Sequence, residues 1–174
     1  MYRRILVPLD GSRVAEGVLP HVRKLAGSTS AEVVLVRVVE HVREGLGGRV
    51  VPAGAAHVSD QDLVRSAHKY LSHVKDTLEA QGTPAQVAVI SGIGAAKTVV
   101  KYAQEREADI IALMSHGLGP AARGVFGSVA ARLLELSPIP VFVVRATPEV
   151  MEQQLEQEEE ELDESLLTRL GVDA

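Results

Sequence analysis

At 174 residues the chain can build one well-buried domain and is too short for two ordinary ones. Hydrophobic residues make up 46% of it and aromatics only 3%, with two Phe, three Tyr and no Trp, which argues against the stacking platforms of single-stranded nucleic-acid binders. The formal charge of −5 divides unevenly: residues 149–174 hold ten acids and one base, leaving 13 acids and 17 bases in residues 1–148, a diffuse excess that suits a small anionic ligand better than nucleic acid.

The absence of cysteine removes disulfides, thiolate metal sites and cysteine nucleophiles, in keeping with a reducing compartment. After the basic start, the apolar run of residues 5–7 is cut off by Pro8, far short of a secretory core or a membrane span. A cytoplasmic protein without a membrane partner is expected.

Residues 5–9 form the first β-branched apolar run and predict a strand. Ser12 can cap the helix that follows, in which Ala15, Val18, Leu19, Val22, Leu25 and Ala26 recur three and four apart. Pro20 must either kink that helix or divide a short first turn from its main body. A second strand is predicted over residues 33–39. Residues 40–57 then carry Gly45, Gly47, Gly48 and Gly54 without any period, the mark of a functional or disordered loop.

Ser59 and Asp62 have capping-box spacing ahead of a helix with Leu63, Ala67, Tyr70, Leu71, Val74 and Leu78 on one face, closed by Gly82. A third strand over 87–90 leads to a helix over about 95–105 with Val99, Val100 and Ala103 inward. The fourth strand covers 110–114, a helix after Ser128 turns Val129, Leu133 and Leu134 to the sheet, and the fifth strand covers 141–144. Strand, helix and strand in alternation, with an aliphatic core, predict an α/β domain over 1–147: a doubly wound parallel sheet with helices on both faces. Residues 148–174 form a separate acidic tail, in which Met151, Leu155, Leu162, Leu166 and Leu170 share one helical face. It reads either as a solvated segment or as an amphipathic helix for a protein partner.

Ligands of such sheets bind beyond the carboxyl ends of the strands, where the strand order reverses. Two loops therefore matter, Pro8-Leu9-Asp10-Gly11-Ser12 and the glycine-rich stretch from Ser115 and His116 through Gly117, Leu118, Gly119 and Arg123 to Gly127-Ser128. Glycines let backbone amides approach an anion, and the free N–H groups of a helix start attract phosphate. Ser128 can bind a phosphate oxygen or cap its own helix; Asp10 can serve a ribose hydroxyl or a Mg²⁺, or form an Asx turn. Gly-Lys-Ser and Gly-Lys-Thr are absent, which excludes a P-loop. The Gly-x-Gly-x-x-Ala from Gly117 follows the wrong strand for a dinucleotide fingerprint, and Pro120 interrupts it. His68 and His73 are five apart, which argues against zinc, and no Gly-x-Ser-x-Gly elbow supports a hydrolase.

Three segments carry a resemblance: Ile5-Leu6-Val7-Pro8-Leu9-Asp10-Gly11-Ser12, the stretch from Asp109 to Gly117, and Gly127-Ser128-Val129 followed by Ser137-Pro138-Ile139-Pro140-Val141. Together they resemble the universal stress protein family over about residues 2–146. The resemblance implies a Rossmann-like sheet of order 3-2-1-4-5, of the adenine nucleotide alpha hydrolase-like type. In the family's ATP-binding branch a Gly, two residues, a second Gly, nine residues and a final Gly-Ser or Gly-Thr form the phosphate loop. Here Gly117 and Gly127-Ser128 fit that frame, while Met114 replaces the first glycine, which bears on close backbone approach at residue 114; a side chain there could point into the core.

The resemblance further implies Pro8 and Leu9 beside the adenine, the Val38 backbone at its edge, and Asp10 near the ribose or a metal. It also implies a homodimer joined through Val141 to Val144. An ATP-binding (or ADP- or AMP-binding) homodimeric sensor or regulator of the stress response is expected, with Mg²⁺ as a candidate companion. The alternatives are a dimeric scaffold that has lost nucleotide and a slow ATPase. No general base or arginine-and-lysine clamp for fast phosphoryl transfer is evident in the sequence.

Overall fold

The computed structural model describes residues 1–40, 59–115 and 126–145. Strands β1 (Arg4–Pro8), β2 (Glu32–Val39), β3 (Ala85–Ser91), β4 (Ile110–Met114) and β5 (Val141–Val144) form one five-stranded parallel sheet in the order β3-β2-β1-β4-β5. Their apolar runs are continuous rather than alternating because the sheet is buried on both sides. Alternation along each strand sends Ile5, Val7, Val33, Leu35, Ile110, Ala112 and Met114 to one core, and Leu6, Val34, Val36, Ile111 and Leu113 to the other. Helices α1 (Arg13–Glu16), α2 (Leu19–Thr29) and α3 (Asp60–Ala80) supply the rest of the first core; α4 (Ala95–Glu105) and α5 (Ser128–Leu136) complete the second.

Pro20 divides rather than kinks: it opens α2, where its fixed φ suits the first turn and its missing N–H costs nothing. Ser12 accepts a hydrogen bond from the Ala15 N–H at 3.1 Å, and Ser59 accepts one from Asp62 at 3.2 Å, so both expected caps form. Gly82, at φ +79°, ends α3 in the left-handed conformation. One expectation fails on α5. Ala130 and Leu133 face the sheet, whereas Val129 and Leu134 are 38% and 45% exposed. In a nine-residue helix the buried stripe is set by the Ala130–Leu133 pair, and residues 129 and 134 fall about 70° to either side of its centre.

At the amino-terminal end of the sheet, opposite the candidate site, one carboxylate oxygen of Asp109 accepts from the Arg3 and Arg4 N–H groups at 2.7 and 2.8 Å and ties β4 to β1. These backbone bonds, with smaller help from the Arg3 charge, hold the carboxyl below its ordinary range. A carboxyl lowered on folding adds stability above its unfolded pKa, near 4, and that stability is lost as the pH falls toward the folded value. Asp109→Asn will therefore lower the unfolding midpoint at neutral pH and flatten its decline below about pH 4. Parallel acid titrations of the two proteins measure both effects.

Candidate functional site

The chain leaves β1 with the Leu9 N–H donating to the Val36 carbonyl at 2.8 Å, then turns. One Asp10 oxygen accepts from both the N–H and the hydroxyl of Ser12, at 3.0 and 2.7 Å, so the Asx turn is formed. Gly11 supports it at φ +93°. Asp10 is half-buried, and its turn delivers the buried Ser12 to the start of α1.

Beside β1 lies β4, paired Ile5↔Ile110 and Leu6↔Ile111, and between these two strands the winding of the sheet reverses. Met114 ends β4 only 6% exposed, packed in the core on the α1 side. A Cβ added to Gly17 would lie 3.2 Å from the Met114 Cε and 3.3 Å from its Sδ. The glycine thus provides the space that the thioether fills, and the residue is turned into the core.

Ser115 is 1% exposed and donates its N–H to the Val144 carbonyl at 2.7 Å. Its own carbonyl accepts from the Gly127 N–H at 2.6 Å. The chain that departs at Ser115 is therefore bound at the same residue when it returns. Gly127 is the N-cap of α5 with φ −66° and ψ 162°, no side chain among the described residues caps the helix, and Ser128 is its first residue. Ser128 is the first helical residue and does not itself cap α5. Val129 and Ser128 are both exposed. His116, Gly117, Leu118, Gly119 and Arg123 lie outside the described residues, as do residues 41–58 and the tail.

Val38 stands past the end of β1. The last pair of β1 with β2 is Pro8↔Val36, and the Val36 carbonyl faces β1. Backbone alternation turns the Val38 N–H and C=O to that same side, two residues beyond the last pair. Its side chain packs on the α4 and α5 core. Pro8 is half-buried at the end of β1, whereas the Leu9 side chain, 4% exposed, is taken up by the other core.

Sequence reasoning missed Arg37. It interrupts the apolar run of β2, and its guanidinium carbon lies 5.3 Å from the centre of the Tyr70 ring on α3. The Tyr70 hydroxyl in turn donates to Glu16 on α1 at 2.9 Å. Burial first, then the Glu16 carboxylate, push the phenol well above its ordinary range. A charged residue inside a strand of Val and Leu was the available signal. Among the described residues no group of three or more His, Cys, Asp and Glu is placed to hold a metal. No helix among them is long and apolar enough to cross a membrane.

The fold defines an α/β domain whose parallel sheet reverses its winding between β1 and β4. The chain belongs to the universal stress protein family, whose model matches residues 1–145. It is 32% identical to universal stress protein Sll1654 of Synechocystis over 145 residues, covering 83% of this chain and 86% of that one. The structure of MJ0577 from Methanocaldococcus jannaschii superimposes with a TM-score of 0.67 at 27% identity, over 84% of this chain and 98% of its own. A universal stress protein in complex with cAMP shares the fold, with a TM-score of 0.61 at 20% identity, over 84% and 98% of the two chains.

Proposed function

We propose that this protein binds an adenine nucleotide, ATP or its ADP and AMP relatives, at the reversal between β1 and β4, and acts as a homodimeric sensor or regulator of the stress response. One observation carries the reading: the bond between Ser115 and Gly127 sets the start of α5, with the glycine as its N-cap, at the carboxyl end of β4, next to the turn of Asp10. Free N–H groups at a helix start favour phosphate. In this reading the phosphates meet Ser115, the stretch from His116 through Gly117, Leu118, Gly119 and Arg123, and then Gly127, Ser128 and Val129. The adenine lies by Pro8 and the Leu9 backbone, with its edge at the Val38 N–H and C=O. The cAMP-bound relative shares the fold alone, so the reading stands on this chain's own geometry.

Asp10 is the one protein group in this reading that would meet a Mg²⁺. One of its oxygens already accepts twice from Ser12, so the ion would be held chiefly by phosphate oxygens and water. Bound there, Mg²⁺ would offset phosphate charge beside that carboxylate.

The location is tested by amide exchange on ligand-stripped protein with and without ATP and Mg²⁺. Protection should concentrate at Val38, at residues 11–15 and at residues 127–131. Protection confined to other segments would move the site elsewhere.

The dimer is assigned to β5, an edge strand of Val and Phe. The Pro140 and Val144 carbonyls face β4, accepting from Ile111 and Ser115 at 2.9 and 2.7 Å, so Val141 and Val143 turn their backbone groups outward. Val143→Pro removes an outward donor and spares the inner ladder. Sedimentation should show a folded monomer; an unchanged dimer mass would place the interface elsewhere.

A further inference from the structure

The turn that presents Asp10 is held from below by a cation. Alternation along β2 places Arg37 on the same face as Val33 and Leu35, under α1 and α3. A Cβ built on Gly11 would lie 2.5 Å from the Arg37 Nη1, 3.2 Å from Cζ and 3.3 Å from Nη2. The guanidinium therefore packs against the backbone of residue 11 and occupies the space any side chain there would need. Its other side rests on Tyr70, which Glu16 fixes through the phenol. The charges of Asp10 and Arg37 both act on that phenol, in opposite directions, so the two groups share one neighbourhood. Among the described residues Arg37 forms no salt bridge of its own.

We infer that Arg37 is a positioning residue for the nucleotide site: stacked on Tyr70 and pressed against Gly11, it braces the turn of residues 10–12 and offsets the charge of Asp10 where an anionic ligand arrives. The inference rests on the nucleotide reading above. A brace that acts by packing and field leaves Asp10 in its turn with Ser12, whereas a direct ion pair would draw the carboxylate away from it. It also gives Gly11 a second reason to be glycine. The positive φ is one, and the guanidinium at van der Waals contact is the other.

Arg37→Ala and Arg37→Lys separate bracing from general stability. In ligand-free protein, Arg37→Ala should speed amide exchange at Ser12 and Ala15 about tenfold while Leu6 and Ile111 keep wild-type rates, since only local opening is made easier. Its Kd for ATP with Mg²⁺ should rise about tenfold, a loss of about 1.4 kcal/mol, and Arg37→Lys should recover most of that. Gly11→Ala should weaken ATP binding less in the Arg37→Ala background than in wild type, because the two residues share one contact. Wild-type exchange at Ser12 and Ala15 in Arg37→Ala would overturn the brace, and faster exchange with unchanged Kd would reduce Arg37 to a structural role. If the wild-type protein binds no ATP, the nucleotide reading fails by itself, and the exchange rates still decide whether Arg37 holds the turn.

Discussion

Met114→Ala should destabilise the protein by about 2–5 kcal/mol and leave its affinity for ATP within about threefold of wild type. The side chain is 6% exposed in the core on the α1 side and fills the space left by Gly17, so its removal opens a cavity among residues that β4 and α1 hold in place. Neighbours fixed by a sheet on one side and a helix on the other collapse poorly into such a space, which puts the cost well above simple transfer. Urea unfolding and an ATP titration of the same variant measure the two quantities. A small loss of stability with tighter binding would mean that Met114 obstructs the crevice instead of packing away from it. The pairing with Gly17 adds a check: Gly17→Ala brings a Cβ within 3.2 Å of the Met114 Cε and should cost less once residue 114 is Ala.

Asp10→Ala will act on structure and ligand together. The turn to Ser12 loses the acceptor of both its hydrogen bonds, and Ser12 loses the partner that steadies its cap on α1, at a cost of about 1–2 kcal/mol. Nucleotide affinity should fall at least tenfold, about 1.4 kcal/mol. Asp10→Asn divides the two effects. The amide oxygen still accepts from Ser12, so the turn and most of the stability remain, while the charge that a Mg²⁺ would meet is gone. Its affinity for ATP should then lose its dependence on Mg²⁺ though the folded protein is nearly as stable as wild type. Equal affinities for wild type, Asp10→Ala and Asp10→Asn would remove Asp10 from the site.

The sheet was legible because it is buried on both faces. Short continuous runs rich in β-branched residues, such as Val33 to Val36, suit a strand buried on both faces, and the intervening helices carry their own caps at Ser12 and Ser59. The phase of α5 was misread because nine residues give little more than two turns, and Val129, Leu133 and Leu134 are equally apolar. Only contact with the sheet selects Leu133 with Ala130.

In the two loops, the turn at residues 10–12 and the helix start at Ser128 were legible, and the local alternatives were not. Whether Asp10 closes a turn, and whether Ser128 caps its helix, depend on backbone geometry that a short stretch of sequence leaves open. The course of Met114 depends on Gly17, a residue far off in the chain. Arg37 was visible only as a charge out of place in an apolar strand, and its meaning required Gly11, Tyr70 and Glu16, which come from a loop and two helices.

The reading of this universal stress protein rests on the Asp10 turn and the start of α5 lying at the carboxyl ends of the adjacent strands β1 and β4. Calorimetric titration of ligand-stripped full-length protein with ATP and Mg²⁺ tests it most directly. A saturable heat with one nucleotide per chain and a Kd in the micromolar range, about −8 kcal/mol at 1 µM, is the predicted result. No heat up to high micromolar ATP would contradict it and leave the fold as a dimeric scaffold.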